Sequence, residues 1–274
     1  MANNHKPVKI PSDAFVIDAA PDGMPLPYKE LNQIIHIALE SGEKHLFLQR
    51  VCGQRFIGAA IRGKDVKIEI EGIPGNDLGI FMDGPEIIVH NNAEDQVGNT
   101  MNAGTIVVHG HAGDVIGLSA RGGKMFVKGN AGFRCGIHVK EYKEQKPIII
   151  VGGTVKDYFG EYMAGGILIA LGLKIDAEGN IEDSNRCICG NCLGTGIHNG
   201  KIFMRTENLP THLLGIGAKI MPFTEEDTAE IAPLLKEFSK NFVVPMEKIW
   251  NKPFVKVVCE SKRPFRGNYC AQLV

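Results

Sequence analysis

Between residues 79 and 128 apolar and polar positions alternate on a fixed count. The segments EIIVH (86–90), TIVVH (105–109) and KMFVK (124–128) each begin seven residues after a glycine, at Gly79, Gly98 and Gly117, and Gly136 continues the spacing of 19. Ile87, Ile106 and Met125 stand eight residues after these corner glycines, and Val89, Val108 and Val127 stand ten after them. Glu86, Thr105 and Lys124 stand seven after. Period-two alternation predicts short strands whose eighth and tenth positions face a core and whose seventh faces out.

The count extends in both directions. An insert around HVKEYKEQK delays the next strand, IIIV (148–151), and Gly160 then restarts the phrase as GEYMAGGILIALG. A longer insert, about 174–193, precedes Gly194 and GTGIHNGKIFMR. Upstream, VKIEIE (66–71) is an earlier strand with Ala60 at its corner. On this count Ile68, Ile148, Leu168 and Ile202 join the eighth row, while Ile70, Ile150, Ala170 and Met204 join the tenth. The ninth row is Glu69, Ile88, Val107, Phe126, Ile149, Ile169 and Phe203. It faces outward by alternation, yet it is apolar after its first member. Such a stripe needs a cover, either the chain's own helices or a partner subunit.

A period near 20 residues containing strands and no helix predicts stacked coils that bury their faces on one another. The fold class expected is all-β-dominated, a single-stranded β-helix of about seven coils with flanking α-helices. At about 4.8 Å per coil it makes a rod roughly 30 Å long. Glycine recurs where every coil turns at the same place. The divisions expected are an N-terminal extension and helix (1–50), the β-helix (51–221), and a C-terminal helix and tail (222–274).

The flanks carry the helical period. PYKELNQIIHIALESG sets Leu31, Ile34, Ile35, Ala38 and Leu39 on one face, with Gly42 as a stop. TEEDTAEIAPLLKEFSKNF sets Ile231, Leu234, Leu235, Phe238 and Phe242 on one face, and Pro233 there predicts a kink or the helix start. Both helices are candidates to cover the outward stripe or to plug an end of the rod. The segment FVKVVC predicts a final strand.

Composition narrows the function. Thirty basic against thirty-one acidic side chains weigh against nucleic-acid binding. Glycine, 33 of 274 residues, is enriched without a matching rise in proline, which points to tight turns rather than disorder. No run of about 18 apolar residues predicts a membrane helix, and MANNHKPVKIPSD has no apolar secretory core. Seven scattered cysteines, an odd number, point to a reducing cytoplasm. No GxGxxG opens a helix and no GxxxxGK[ST] occurs, so the glycines read as corners rather than phosphate cradles. GxSxG and HExxH are also missing.

Two groups of side chains could carry chemistry. Cys187, Cys189 and Cys192 form a CxCxxC run in the long insert, where they would project from the rod on a loop. Zinc or an iron–sulfur cluster, with His198 as the nearest fourth ligand, is one use. A redox thiol pair is another, and packed or exposed thiols a third. His90 and His109 share a row in adjacent coils, and His111 follows. Stacked histidines can hold a metal, but Glu71, Lys128 and Arg205 in the same row suggest a solvated face. No catalytic, cofactor-binding or metal-binding residue is assigned from the sequence.

GNDLGIFMDGPEIIVH, GNTMNAGTIVVHG, GFRCGIHVKE and FGEYMAGGILIALG resemble the GXGXG domain at the carboxy terminus of the large subunit of glutamate synthase. LQRVCGQRFIGAAIRG is similar to the family's entry into its first coil, and GTGIHNGKIFMR to the form that stands alone as a separate chain. The resemblance covers about residues 45–260. It implies a right-handed β-helix with no catalytic residues of its own. It implies a domain-organising subunit that docks glutaminase-type and FMN-dependent synthase subunits in a hetero-oligomer, with FMN and iron–sulfur clusters in those partners. The coil phrase is also similar to one found in a formylmethanofuran dehydrogenase component, so a member of that complex or of an N-methylglutamate synthase is the alternative. An independent hydrolase is a third possibility, disfavoured by the missing nucleophile motif.

Overall fold

A computed structural model of the chain describes residues 8–176 and 179–261. Strand β1 (Phe15–Asp18) leads into helix α1 (Tyr28–Glu40) and strand β2 (His45–Cys52). The coils contribute β3 (Lys67–Ile73), β4 (Asp83–Val89), β5 (Ala103–Val108), β6 (Lys124–Val127), β7 (Ile148–Val151) and β8 (Ala164–Ala170). A hairpin, β9 (Leu173–Ile175) and β10 (Ile181–Asp183), precedes the last coil strand β11 (Asn199–Arg205). β12 (Ala218–Met221), α2 (Glu225–Phe242), α3 (Met246–Trp250) and β13 (Phe254–Cys259) follow.

One ladder runs the length of the molecule in the order β1-β2-β3-β4-β5-β6-β7-β8-β11-β13-β12. Every pair from β1 to β11 is parallel, and the last two pairs are antiparallel. The seven strands from β3 to β8 and β11 are the coils of a β-solenoid. β1 and β2 extend their ladder by two strands that the repeat count does not contain.

Each coil turns at a glycine whose N–H donates to the carbonyl of the residue before the corner glycine of the preceding coil. Gly98 to Leu78, Gly117 to Val97 and Gly136 to Ile116 measure 2.7–2.8 Å. At Gly98, φ is +68° and a Cβ would lie 2.6 Å from Sδ and Cε of Met125 in the next coil. The missing side chain therefore serves both the left-handed backbone and the interior packing.

Four rows fill the interior. Ile68, Ile87, Ile106, Met125, Ile149, Leu168 and Ile202 stack in register, as do Ile70, Val89, Val108, Val127, Val151, Ala170 and Met204. The residues before the corners (Ile57, Leu78, Val97, Ile116, Cys135, Phe159, Leu193) and the small residues five before them (Ala93, Ala112, Ala131, Val155) close the other walls.

Two counts from the sequence are corrected. In the fifth coil Ile149 and Val151 face in, whereas Ile148 and Ile150 face out. Four consecutive apolar residues carry no alternation, so pairing with β6 sets the register. The first corner is Gly58, not Ala60. Gly79 donates to Ile57 O at 2.8 Å, and Ala60 takes a second left-handed position that Phe81 and Thr100 occupy in later coils. Lys67 stands nine residues after this corner, whereas its ladder partner Glu86 stands seven after Gly79.

The outward stripe is covered by the chain itself. Ile231, Leu234, Leu235, Phe238 and Phe242 of α2 lie on Val107, Phe126, Ile148, Ile150, Ile169 and Phe203. The helix begins at Glu225 with a reciprocal cap between Thr224 and Asp227. Pro233 lies inside it and does not mark its start. Helix α1 instead puts Leu31, Ile35 and Ala38 into the solenoid core, closing its N-terminal end.

Candidate functional site

The cysteine run does not project as a loop. Ile188 O accepts from Val155 N at 3.0 Å and Asn191 O from Tyr158 N at 2.9 Å, so residues 188–193 already form the last coil. Cys189 stands five before Gly194, as Ala112 stands five before Gly117, and it is buried in the core. Burial first, and then Cys187, push its thiol up to about 12. Cys192 takes the left-handed position two before the corner, at φ +60°. Cys187 is exposed, and Cys270 lies outside the described residues. A thiol turned into an apolar interior does not fit a zinc or iron–sulfur site. Among the described residues no three potential ligands converge on a metal position. Counting back from Gly194 would have revealed the role of Cys189.

The histidine row is half covered rather than solvated. His90 and His109 stack with ring centroids 5.6 Å apart, and Phe242 at the end of α2 meets His109 edge-on at 5.2 Å. Burial, then the charges of His90 and Lys128, push the His109 imidazole down to about 4. At the other end of the row Arg205 is 2% exposed. Its guanidinium donates to the carbonyls of Leu171, Lys248 and Ile249, and to Asp183 and Asn251. It ties α3 and the β9–β10 hairpin to the last coil. His111 Nδ1 accepts from Asn130 N at 2.9 Å, while His111 N donates to Asn92 Oδ1 at 2.8 Å. Asp114 accepts from Phe133 N and Asp95 from Asp114 N in the same way, each 19 residues on. These side chains splice one coil to the next.

A tighter convergence forms where α2 stops. Glu69, the one acid of the ninth row, is 7% exposed. Its Oε1 lies 2.7 Å from Lys67 Nζ and 3.0 Å from His45 Nε2, and its Oε2 lies 2.7 Å from His90 Nε2. The other His45 nitrogen, Nδ1, faces Asp13 Oδ2 at 3.0 Å. Burial pushes the Glu69 carboxyl up, but the bonds from Lys67, His90 and His45 outweigh it and hold the group below its usual range. Sequence reasoning missed this cluster because Asp13 and His45 precede the repeat. The only signal was one glutamate in an apolar row. Chemically it is an alternating chain of carboxylate and imidazole that can carry or hold a proton.

A second charged set clamps α2 onto the sheet. Lys201 bonds Asp227 at 2.9 Å and Glu230 at 2.7 Å, and Lys124 bonds both oxygens of Glu237 at 2.6 and 2.7 Å. Asp227 is 1% exposed and also receives Lys256. Burial opposes its charge, yet the two lysines and Thr224 hold its carboxyl far below the ordinary range. Lys124 is thus a helix contact and not the free outward position its row suggests. No described helix is long and apolar enough to cross a membrane.

Residues 44–259 match a protein family described as GXGXG motif. The chain is also 52% identical over 258 residues to a protein of Methanocaldococcus jannaschii described as uncharacterized. That alignment takes in 92% of this chain and 97% of the relative.

Proposed function

The chain belongs to the GXGXG family, and from that premise we propose that it is a non-catalytic, domain-organising subunit of a glutamate-synthase-type complex. The GXGXG domain is associated with the glutamate synthase family. In this role the solenoid docks a glutaminase-type subunit and an FMN-dependent, iron–sulfur-containing synthase subunit in the cytoplasm. The chemistry and the cofactors belong to those partners. The observation that carries the proposal is where the reactive-looking side chains are spent. Cys189 fills the core, His111 splices coils, His109 packs beneath Phe242 and Arg205 ties down α3. Cys189, His109 and His111, which suggested a site in the sequence, each have a structural task in the rod.

Co-expression tests this. The tagged chain is purified together with a glutaminase-type chain and an FMN-dependent synthase chain encoded by the same genome. Co-elution of all three in gel filtration, with flavin absorbance in the peak, supports the proposal. Separate elution of the tagged chain, or its native isolation with molybdopterin-containing subunits, overturns it. The pure chain should not hydrolyse glutamine. Robust hydrolysis abolished by one point substitution would show a catalytic site in this chain.

A further inference from the structure

His45 is held between two carboxylates that come from different parts of the fold. Nδ1 lies 3.0 Å from Asp13 Oδ2, just ahead of the edge strand β1, and Nε2 lies 3.0 Å from Glu69 Oε1 in the first coil. An imidazolium has an N–H on each nitrogen and can donate to both carboxylates at once. A neutral imidazole has one N–H, and its other nitrogen then points a lone pair at a carboxylate oxygen. The two carboxylates are not equivalent. The Glu69 side chain is 9% exposed and that of Asp13 is 76% exposed. Glu69 is pinned by Lys67 and His90 and cannot turn away from a ring lone pair, whereas the exposed Asp13 can turn to water. The single proton of a neutral ring therefore stays on Nε2, toward Glu69, and the bond to Asp13 is the one released.

We propose that His45 is a proton-controlled tie between the N-terminal segment and the first coil, closed at both ends as the imidazolium and open at Asp13 as the neutral ring. The charges around it agree. Lys67 and Glu69 face it from β3, and His90 reaches the same carboxylate from the residue after β4. His109 lies beyond His90 in the next coil, and the Lys44–Asp65 pair, 3.3 Å apart, flanks the start of β2. With Lys67 and His90 already donating to Glu69, the carboxylate that depends most on His45 is Asp13. On its side the segment is held by the four-residue β1–β2 pairing and the Asp18–Arg50 ion pair. Losing one tie therefore loosens residues 13–18 without unseating α1, whose face lies in the core. The sign follows from the donor count. The tie is complete while the ring carries both protons and is lost when one of them leaves.

Hydrogen exchange of the intact chain, read by mass spectrometry and corrected for the intrinsic rate, tests the tie. Spectra are taken at about pH 5.5 and about pH 8, a span over which histidine side chains in general gain and lose a proton. Protection of residues 13–18 should fall by about two- to fivefold at the higher pH, the size expected of a pair exposed on one side. Protection of β5 should not change. In Asp13→Asn and His45→Gln the change at residues 13–18 should vanish. A wild-type segment indifferent to pH, or an unchanged response in Asp13→Asn, overturns the proposal. Asp13 is exposed, so Asp13→Asn decides the matter even if His45→Gln fails to fold.

Discussion

Replacing glycine by alanine at two left-handed positions separates backbone strain from packing. Gly217 has φ +83° and open space where a Cβ would stand. Gly217→Ala therefore meets only the cost of the left-handed region, about 1 kcal/mol. Gly98 has φ +68°, and its Cβ would stand 2.6 Å from two atoms of Met125. Gly98→Ala adds an overlap inside a filled core, where overpacking costs about 1–3 kcal/mol. Met125 is flexible and can yield some of that space, so a total of about 2–3 kcal/mol is expected. Urea titrations followed by circular dichroism measure both variants, comparing midpoints at unchanged slope. Equal losses would refute the packing role of the corner. A further rise in melting temperature with ATP, NAD or FMN, restoring Gly98→Ala, would refute the view that the glycines serve shape and not a ligand.

Ile106 is fully buried in the eighth row, so Ile106→Asp should cost several kcal/mol and prevent folding, read as loss of the cooperative melt. Lys124→Asp should cost a few tenths to about 1 kcal/mol, because it sets two acids together, and Glu237→Lys should restore the loss in urea titrations. His109 titrates near 4 in the folded chain, below its ordinary 6.5, so the unfolded state takes up the proton first as pH falls. The stability that the neutral ring contributes is present above about 6.5 and lost toward about 4, and His109→Leu should flatten denaturation midpoints across that window. Metal analysis of anaerobically purified protein should find no near-stoichiometric zinc or iron, and metal lost in Cys189→Ser would contradict the core placement of that thiol.

The coil was legible in the sequence because it repeats. A strand shows its two faces by alternation, and repeated copies of one alternation make the inward rows visible as columns of apolar residues. The covering face of α2 was legible for the same reason, since Ile231, Leu234, Leu235, Phe238 and Phe242 follow the helical period. Legibility ended where periodicity did. Ile148 to Val151 are all apolar, and only the hydrogen bonds to β6 decide which two face in. Spacing alone made Cys187, Cys189 and Cys192 look like a ligand set, whereas the corner at Gly194 turns Cys189 into the core. The meeting of Asp13, His45, Glu69 and His90 joins residues up to 77 positions apart. No local pattern encodes it, because stacking of β2, β3 and β4 beside the edge strand brings those side chains together, and that stacking exists only in the folded chain.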